Sequence, residues 1–170
     1  MAKNPQPTAV QTLLDLIDEA YDHSAWHGPN LKSSLRGITA EMAAWVPDKG
    51  RHSIREIVLH AAYWKHQVRR RLSNSDREAF PVRGSNWFHL NGDAGSWNEK
   101  SWKARRVLLE GQHCELRQAV AGLSDKRLAE PAGRKGQSAA DNVMGIALHD
   151  VYHAGQIQLL KRLMQDPKQR

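Results

Sequence analysis

The chain has 170 residues, of which 40% are hydrophobic and 25% charged, and its basic side chains outnumber the acidic ones to give a formal net charge of +7. This composition excludes a disordered chain and predicts one folded domain covering residues 1–170. No apolar run approaches the roughly 20 residues that cross a bilayer, and residues 1–10 contain no signal-peptide segment, so we expect a cytoplasmic protein. A single cysteine, Cys114, excludes an intrachain disulfide.

A net positive charge is compatible with two kinds of partner, nucleic acid and an anionic small molecule. The basic residues cluster at 69–71, 103–106 and 161–162, on or beside predicted helices that also carry acidic residues. No glycine-rich phosphate loop and no zinc-finger cysteine pair accompanies them. We therefore interpret these clusters as solvated helix faces, and nucleic-acid binding is not favoured.

Two helical segments are predicted in the first half of the chain. The first covers about residues 8–35, with a possible interruption at Gly28-Pro29, and a short turn follows around 39–45. Its apolar residues recur at spacings of three and four: Val10, Leu13, Leu14, Ile17 and Tyr21. The second begins at a capping box formed by Ser53 and Glu56, and residues 73–76 should end it.

The second half contains an irregular segment and two more helical segments. Glycines and a proline break residues 73–98, but the large aromatic side chains there indicate a packed crossover instead of a simple linker. A capping box at 96–99 predicts a third helix ending near residue 121. The fourth begins at Ser138 or Asp141 and ends before Pro167. With no strand pattern in the sequence, the fold class is all-α: a four-helix bundle with a long irregular crossover between helices 2 and 3.

Two histidines in the last helix occupy positions that normally hold apolar residues. His149 and His153 lie four residues apart and therefore share a helix face. Their stripe has core spacing and comprises Ile146, His149, His153, Ile157, Leu160 and Met164. In the second helix, His60 lies on the stripe of Ile57, Trp64 and Val68. Three inward imidazoles from two helices can meet in the bundle interior, where helical proteins build metal sites.

This combination favours an open metal site. Neutral imidazole binds zinc, nickel, copper or ferrous iron, and three ligands leave a position for water or substrate. Asp150 and Gln156 are candidate partners for the remaining ring nitrogens. A lone histidine on an apolar face is more often a hydrogen-bonded core residue, and the pair is not an H-E-x-x-H motif because position 150 is Asp. The other histidines are expected at the surface or in loops, and Cys114 is expected to be a small buried apolar residue.

Two segments resemble the DinB-like proteins, which include the YfiT-type metal-dependent hydrolases. Residues 53–60, SIREIVLH, are similar to the family's helix-two signature, and residues 149–157, HDVYHAGQI, are similar to its last-helix signature. The sequence Trp45-Val46-Pro47 ahead of helix two also fits. The resemblance extends from helix one to about Met164.

The resemblance implies a four-helix bundle, often a homodimer, with a divalent metal held by His60, His149 and His153. Zinc or nickel is favoured, and manganese or iron is also compatible. It implies a thiol-dependent transferase or a hydrolase, whose substrate would be a small molecule such as an anionic low-molecular-weight thiol. The alternative is a non-catalytic metal-binding or stress-response module. Residues 73–98 match no subfamily pattern, and substrate choice is expected to depend on them.

Overall fold

The protein is described from a computed structural model, covering residues 8–73, 78–88, 96–133 and 136–165. These residues contain helices and no strand beyond one isolated bridge between Pro131 and Ser138, which confirms the all-α prediction. The helices are α1 (Ala9–Tyr21), α2 (Leu31–Ser34), α3 (Ala40–Ala44), α4 (Ile54–Ser73), α5 (Glu99–Ala121), α6 (Asp125–Ala129) and α7 (Ala139–Gln165). Among them, none has both the length and the apolar character of a membrane span.

The four longer helices pack around a shared interior. Helix α4 lies against α5 and α7, and α1 lies against the same two helices from the other side. The short helices cover the ends, with α2 and α6 against α7 and α3 against α4 and α5. Fully buried side chains such as Trp102, Leu116 and Ile157 fill the interior. This arrangement places α4 beside α7, which is the contact that the predicted metal site requires.

The first predicted helical segment, residues 8–35, is interrupted, as the Gly28-Pro29 pair predicts, although the interruption begins earlier than that pair. Helix α1 ends at Tyr21, and a new helix begins only at Leu31. Directly before α2 the chain cannot continue a regular helix, because Pro29 has no amide hydrogen and Gly28 adopts a positive φ of 102°. Asn30 then caps α2, accepting a hydrogen bond from the Ser33 amide at 2.8 Å. The predicted turn around 39–45 is the short helix α3.

Capping boxes begin both helices that carry the candidate ligands. At the start of α4, the Ser53 amide donates to Glu56 Oε2 at 2.8 Å and the Glu56 amide donates to Ser53 Oγ at 3.4 Å. At the start of α7, Ser138 and Asp141 make the same reciprocal pair. Both starts agree with the sequence predictions, since this pairing satisfies amides that have no partner within the helix.

The capping box predicted for the third long helix is wrong in its residues. Asn98 is the cap of α5, and its side chain accepts from the amides of Lys100 and Ser101. The Glu99 carboxylate instead accepts from the Ala40 amide at 2.6 Å, at the start of α3. Glu99 therefore makes a tertiary contact with α3 instead of the local contact with Ser96 that the sequence pattern predicted.

The crossover between α4 and α5 is irregular where it is described. Residues 78–88 and 96–98 contain no helix, and the predicted crossover also includes 74–77 and 89–95, which lie outside the described residues. Phe88 is buried, and Trp87 and Trp97 pack partly buried against the core. The aromatic residues therefore attach this segment to the bundle, as their size predicts.

Candidate metal centre

The structure brings the three predicted histidines together between α4 and α7. The Nε2 atom of His149 lies 3.0 Å from Nε2 of His60 and 3.0 Å from Nε2 of His153. One ligand atom from each residue falls within 4.8 Å of the other two. His60 and His153 are buried, while His149 is partly exposed. The cluster is thus accessible from the His149 side.

Acceptors on the outer ring nitrogens determine two of the tautomers. The Nδ1 atom of His60 lies 3.0 Å from the carbonyl oxygen of Asn86, and Nδ1 of His153 lies 2.7 Å from Gln156 Oε1. Because a carbonyl oxygen can only accept, each Nδ1 carries the hydrogen and donates it. The Nε2 atoms of His60 and His153 then present lone pairs, as metal-ligating histidines do.

These tautomers leave the centre short of hydrogen-bond donors. The two Nε2 lone pairs both face Nε2 of His149, which carries at most one hydrogen and can satisfy only one of them. Nδ1 of His149 is buried and has no hydrogen-bond partner among the residues that the structure describes. A cation removes this mismatch, and Zn–N bonds of about 2.0–2.1 Å place neighbouring ligand nitrogens roughly 3.0–3.4 Å apart. The three residues therefore fit a divalent metal ion.

Burial keeps the three imidazoles neutral. It lowers the pKa of His149 to about 3 and that of His153 to about 4, with like-charge repulsion from neighbouring histidines adding to both shifts. Burial also lowers the pKa of His60, against the opposing effect of its hydrogen bond to Asn86. At neutral pH all three rings are in the form that binds metals.

The crossover covers one face of the centre. The ring of Trp87 stacks on His60, with centroids 3.8 Å apart and planes 7° apart, and His52 stacks on the other face of the indole at 3.6 Å. Asn86 has a positive φ of 55°, and its side-chain oxygen accepts from Trp64 Nε1 at 3.0 Å. Side-chain and main-chain oxygens of one residue thus hold the crossover over α4.

The sequence profile of the DinB superfamily matches residues 23–157, a segment that contains all three histidines. The chain belongs to the DinB superfamily. No curated protein and no solved structure gives a significant match to it. Family membership and the three-histidine cluster together fit a metal-binding DinB-like protein.

One predicted partner of the ring nitrogens has a different role in this DinB-like chain. Gln156 contacts His153 as expected, but Asp150 forms a buried ion pair with Lys65 of α4. Each of these two side chains is 1% exposed. Asp150 follows His149 directly, so it lies on a different side of the helix. Lys65 could have been suspected from the sequence, because it falls four residues after Ala61 and three before Val68 on a buried stripe.

Three other site-related predictions for this DinB-like chain are wrong. His66 and His113, expected at the surface or in loops, are buried, and Cys114, expected to be buried, is exposed. His66 Nδ1 bonds to Gln112 at 3.0 Å, and the Tyr21 ring stacks on His113 at 3.8 Å. The face of α5 that meets α1 and α4 includes the histidine and excludes the neighbouring cysteine. His89 lies outside the described residues.

Proposed function

We propose that this chain is a metal-dependent enzyme whose His60, His149 and His153 hold one divalent ion and activate a low-molecular-weight thiol for transfer. The observation that carries the proposal is the convergence of two Nε2 lone pairs on the His149 ring without enough hydrogens to satisfy them. Zinc or nickel is the favoured ion, with manganese or iron as alternatives. Activation of water, as in a hydrolase, is the second chemistry that the same site supports.

Each group of the chain has a defined task in this proposal. When bound, a divalent ion supplies Lewis-acid chemistry that lowers the pKa of a thiol or water toward neutrality. Asn86 and Gln156 orient the rings of His60 and His153 through their Nδ1 hydrogens. Trp87 covers His60 and excludes water from that side. The partly exposed side of His149 remains for the substrate.

Elemental analysis tests the metal site. We expect about one divalent ion per chain in protein purified without chelator, and loss of that ion in the His60→Ala variant. His66→Ala is the matched control, since it removes another buried histidine of α4 and should retain the metal. A folded wild-type protein that takes up none of zinc, nickel, manganese and iron would refute the proposal.

Turnover assays separate the two chemistries. Consumption of an electrophile only when a thiol is supplied supports thiol transfer, and consumption without a thiol supports hydrolysis. The non-catalytic alternative has one observation in its favour, because the three histidines join α4 to α7 and a bound ion would stabilise that contact. It predicts that His149→Ala lowers the Tm strongly while no electrophile in a broad panel is consumed.

We also propose that the chain forms a homodimer through α7. Three large apolar side chains on this helix are more than half exposed: Leu148, Tyr152 and Leu159. A second copy covering them would remove this apolar area from water. Sedimentation should show a dimer, and Leu148→Glu should give a monomer with the same helix content. A monomeric wild-type protein would contradict this assembly.

A further inference from the structure

A narrow groove leads along the contact between α4 and α7 to His149. Its volume is about 150 Å³. It is lined by Trp64, Val68, Arg71, Gln137, Asp141, Asn142, Gly145, Ile146 and His149. A cavity of this size holds a group of about six heavy atoms, comparable to benzene. The groove therefore admits a small molecule, or one end of a larger one, directly beside the accessible ligand of the metal centre.

Arg71 is held in this groove by three neighbours. Its Nη1 donates to Asn142 Oδ1 at 3.0 Å, and its guanidinium carbon lies 5.7 Å from the centroid of the Trp64 ring. Gly133 lies so close that an added Cβ would come 3.0 Å from Arg71 Cδ. The side chain is thus positioned before any ligand arrives, which reduces the entropy lost on binding.

The guanidinium of Arg71 has no carboxylate partner among the residues that the structure describes. The contrast within α4 is clear, since Arg69 pairs with both Glu78 and Glu115. A positioned, half-buried guanidinium whose N–H groups meet no carboxylate in the described part of the chain matches a ligand carboxylate, which it can bind through two parallel hydrogen bonds. Arg71 is therefore suited to recognise an anionic group of a ligand.

The groove also contains a carboxylate, and this narrows the ligand class. Asp141 accepts from the Ser138 amide and hydroxyl through Oδ2, at 2.9 and 2.8 Å. These hydrogen bonds lower the pKa of Asp141, so the group is ionised at neutral pH. A simple anion would be repelled by Asp141, whereas a ligand with both a carboxylate and an ammonium is complemented at both charges.

The spacing along α7 gives the distance between the charged groups of the groove, Arg71 and Asp141, and the histidines of the metal centre. Asn142, which holds Arg71, precedes His149 by seven residues, or about 10 Å along the helix axis. Extended cysteine covers about half of that distance between its sulfur and its carboxylate, and the remainder matches a metal–sulfur bond of about 2.3 Å at the histidines and a hydrogen bond of about 2.8 Å to Arg71. We infer that the groove binds the amino-carboxylate end of a small zwitterionic thiol, with Arg71 on the carboxylate and Asp141 on the ammonium. This inference rests on the proposed thiol chemistry at the histidines.

Three small thiols and a cobalt-loaded protein test the inference. L-cysteine carries both charges, 3-mercaptopropionate only the carboxylate, and cysteamine only the ammonium. Binding of each is followed by the thiolate-to-cobalt charge-transfer absorption, which reports ligation and does not depend on turnover. We expect wild-type protein to bind cysteine more tightly than either of the other two thiols.

The variants assign the two charges separately. Arg71→Met should weaken the binding of cysteine and of 3-mercaptopropionate roughly 10-fold or more, since a charge-assisted hydrogen bond contributes about 1.5–3 kcal/mol. The binding of cysteamine, which has no carboxylate, should be unchanged. Asp141→Asn can still accept hydrogen bonds from Ser138. It should weaken the binding of cysteine and cysteamine and leave the binding of 3-mercaptopropionate unchanged. Arg70→Met is the matched control, because it removes the same charge from the neighbouring position, which does not line the groove beside His149.

The possible results separate this inference from the proposed function. If Arg71→Met weakens the binding of all three thiols equally, or of none, Arg71 does not recognise a carboxylate. That result would overturn this inference and leave the proposed metal and thiol chemistry untouched. A protein that binds cobalt but gives no charge-transfer band with any thiol would overturn the proposed thiol chemistry as well. If Arg71→Met does not fold by circular dichroism, Arg71→Lys is used, and it should still weaken only the two carboxylate-bearing thiols.

Discussion

At the scale of single residues, the candidate metal centre depends on what the histidines bind through their outer nitrogens. His153 obtains its partner locally, from Gln156 three residues further along α7, at 2.7 Å. His60 obtains its partner from Asn86, in the crossover 26 residues away. Such acceptors determine the tautomer and the ring orientation, and they increase the basicity of a ligand nitrogen. Metal affinity should therefore respond to residues that do not contact the ion.

Gln156→Ala tests this dependence. The variant removes the acceptor of the His153 Nδ1 hydrogen, so we expect divalent-metal affinity to fall by roughly 10- to 100-fold while the fold is retained. Competition with a chromophoric chelator measures the affinity. Gln158→Ala, which alters a glutamine two residues further along α7 bonded to Ser34, should leave affinity unchanged. Equal affinities for the wild type and Gln156→Ala would contradict the assigned tautomer.

At the scale of elements, α4 and α7 carry the site, and each has its start defined by a capping box. The Ser53 hydroxyl lies 2.9 Å from Glu56 Oε2, and Ser53 is buried, so the start of α4 is integrated into the tertiary structure. Seven residues separate Ser53 from His60, which places the ligand about two turns into the helix. Fraying confined to the first turn would therefore stop about one turn short of His60.

Ser53→Ala should destabilise the protein by about 1 kcal/mol, because the Glu56 amide loses its cap. Urea denaturation of the metal-free protein measures the free energy of unfolding without the contribution of a bound ion. Ser73→Ala at the other end of α4, where the exposed hydroxyl donates to Arg69 O, should change the free energy of unfolding by less than about 0.5 kcal/mol. Similar losses in both variants would argue against a specific role of the cap.

The buried pair Lys65–Asp150 joins the same two helices next to His149. Lys65→Met should destabilise the protein by about 3–5 kcal/mol, since it leaves Asp150 buried without its cation. Burial already raises the pKa of Asp150, against the effect of Lys65, so the lone acid would be driven further toward its neutral form. The double variant Lys65→Met/Asp150→Leu should recover much of the free energy of unfolding that Lys65→Met loses.

Denaturation of a full double-mutant cycle measures the Lys65–Asp150 coupling. Lys32→Met is the control for an exposed pair, since Lys32 and Glu110 are about half exposed, and it should cost less than about 1 kcal/mol. A loss for Lys65→Met as small as that for Lys32→Met would show that burial of the ion pair has no energetic consequence.

At the scale of the whole molecule, several histidines are buried in neutral form, and this makes stability depend on pH. Burial lowers the pKa of His113 to about 3, with repulsion from Lys65 adding to the shift. Between the ordinary histidine pKa of 6.5 and about 3, the unfolded chain binds a proton at this residue and the folded chain does not. Stability should therefore fall as pH falls through this window.

His113→Gln removes this titration, so its stability should depend less on pH. From pH 7 to pH 5 the wild type should lose about 2 kcal/mol more than the variant, at about 1.4 kcal/mol per pH unit below 6.5. Urea denaturation of the metal-free protein at several pH values measures the difference. His27→Gln, at an exposed position, is the control and should follow the wild type. Parallel pH profiles for the wild type and His113→Gln would contradict burial of a neutral imidazole at this position.

Several features could be predicted from the sequence alone because they depend on contacts within a few residues. The caps at Ser53 and Ser138, the helices that follow them and the shared face of His149 and His153 all rest on spacings of three or four residues. The break at Gly28-Pro29 is also local, although its consequence, a new helix capped by Asn30, was not predicted. His60 was found because its stripe follows the same periodicity.

Only the tertiary structure decided which groups surround those histidines. His60 and His149 are 89 residues apart, and their 3.0 Å approach exists because α4 packs beside α7. The Asn86 carbonyl, the Lys65–Asp150 pair and the burial of His113 likewise require elements that are distant in the chain to meet. Periodicity indicates which face of a helix is buried. It does not specify which polar atom of another element will satisfy a side chain on that face, because that choice depends on the packed arrangement of the helices.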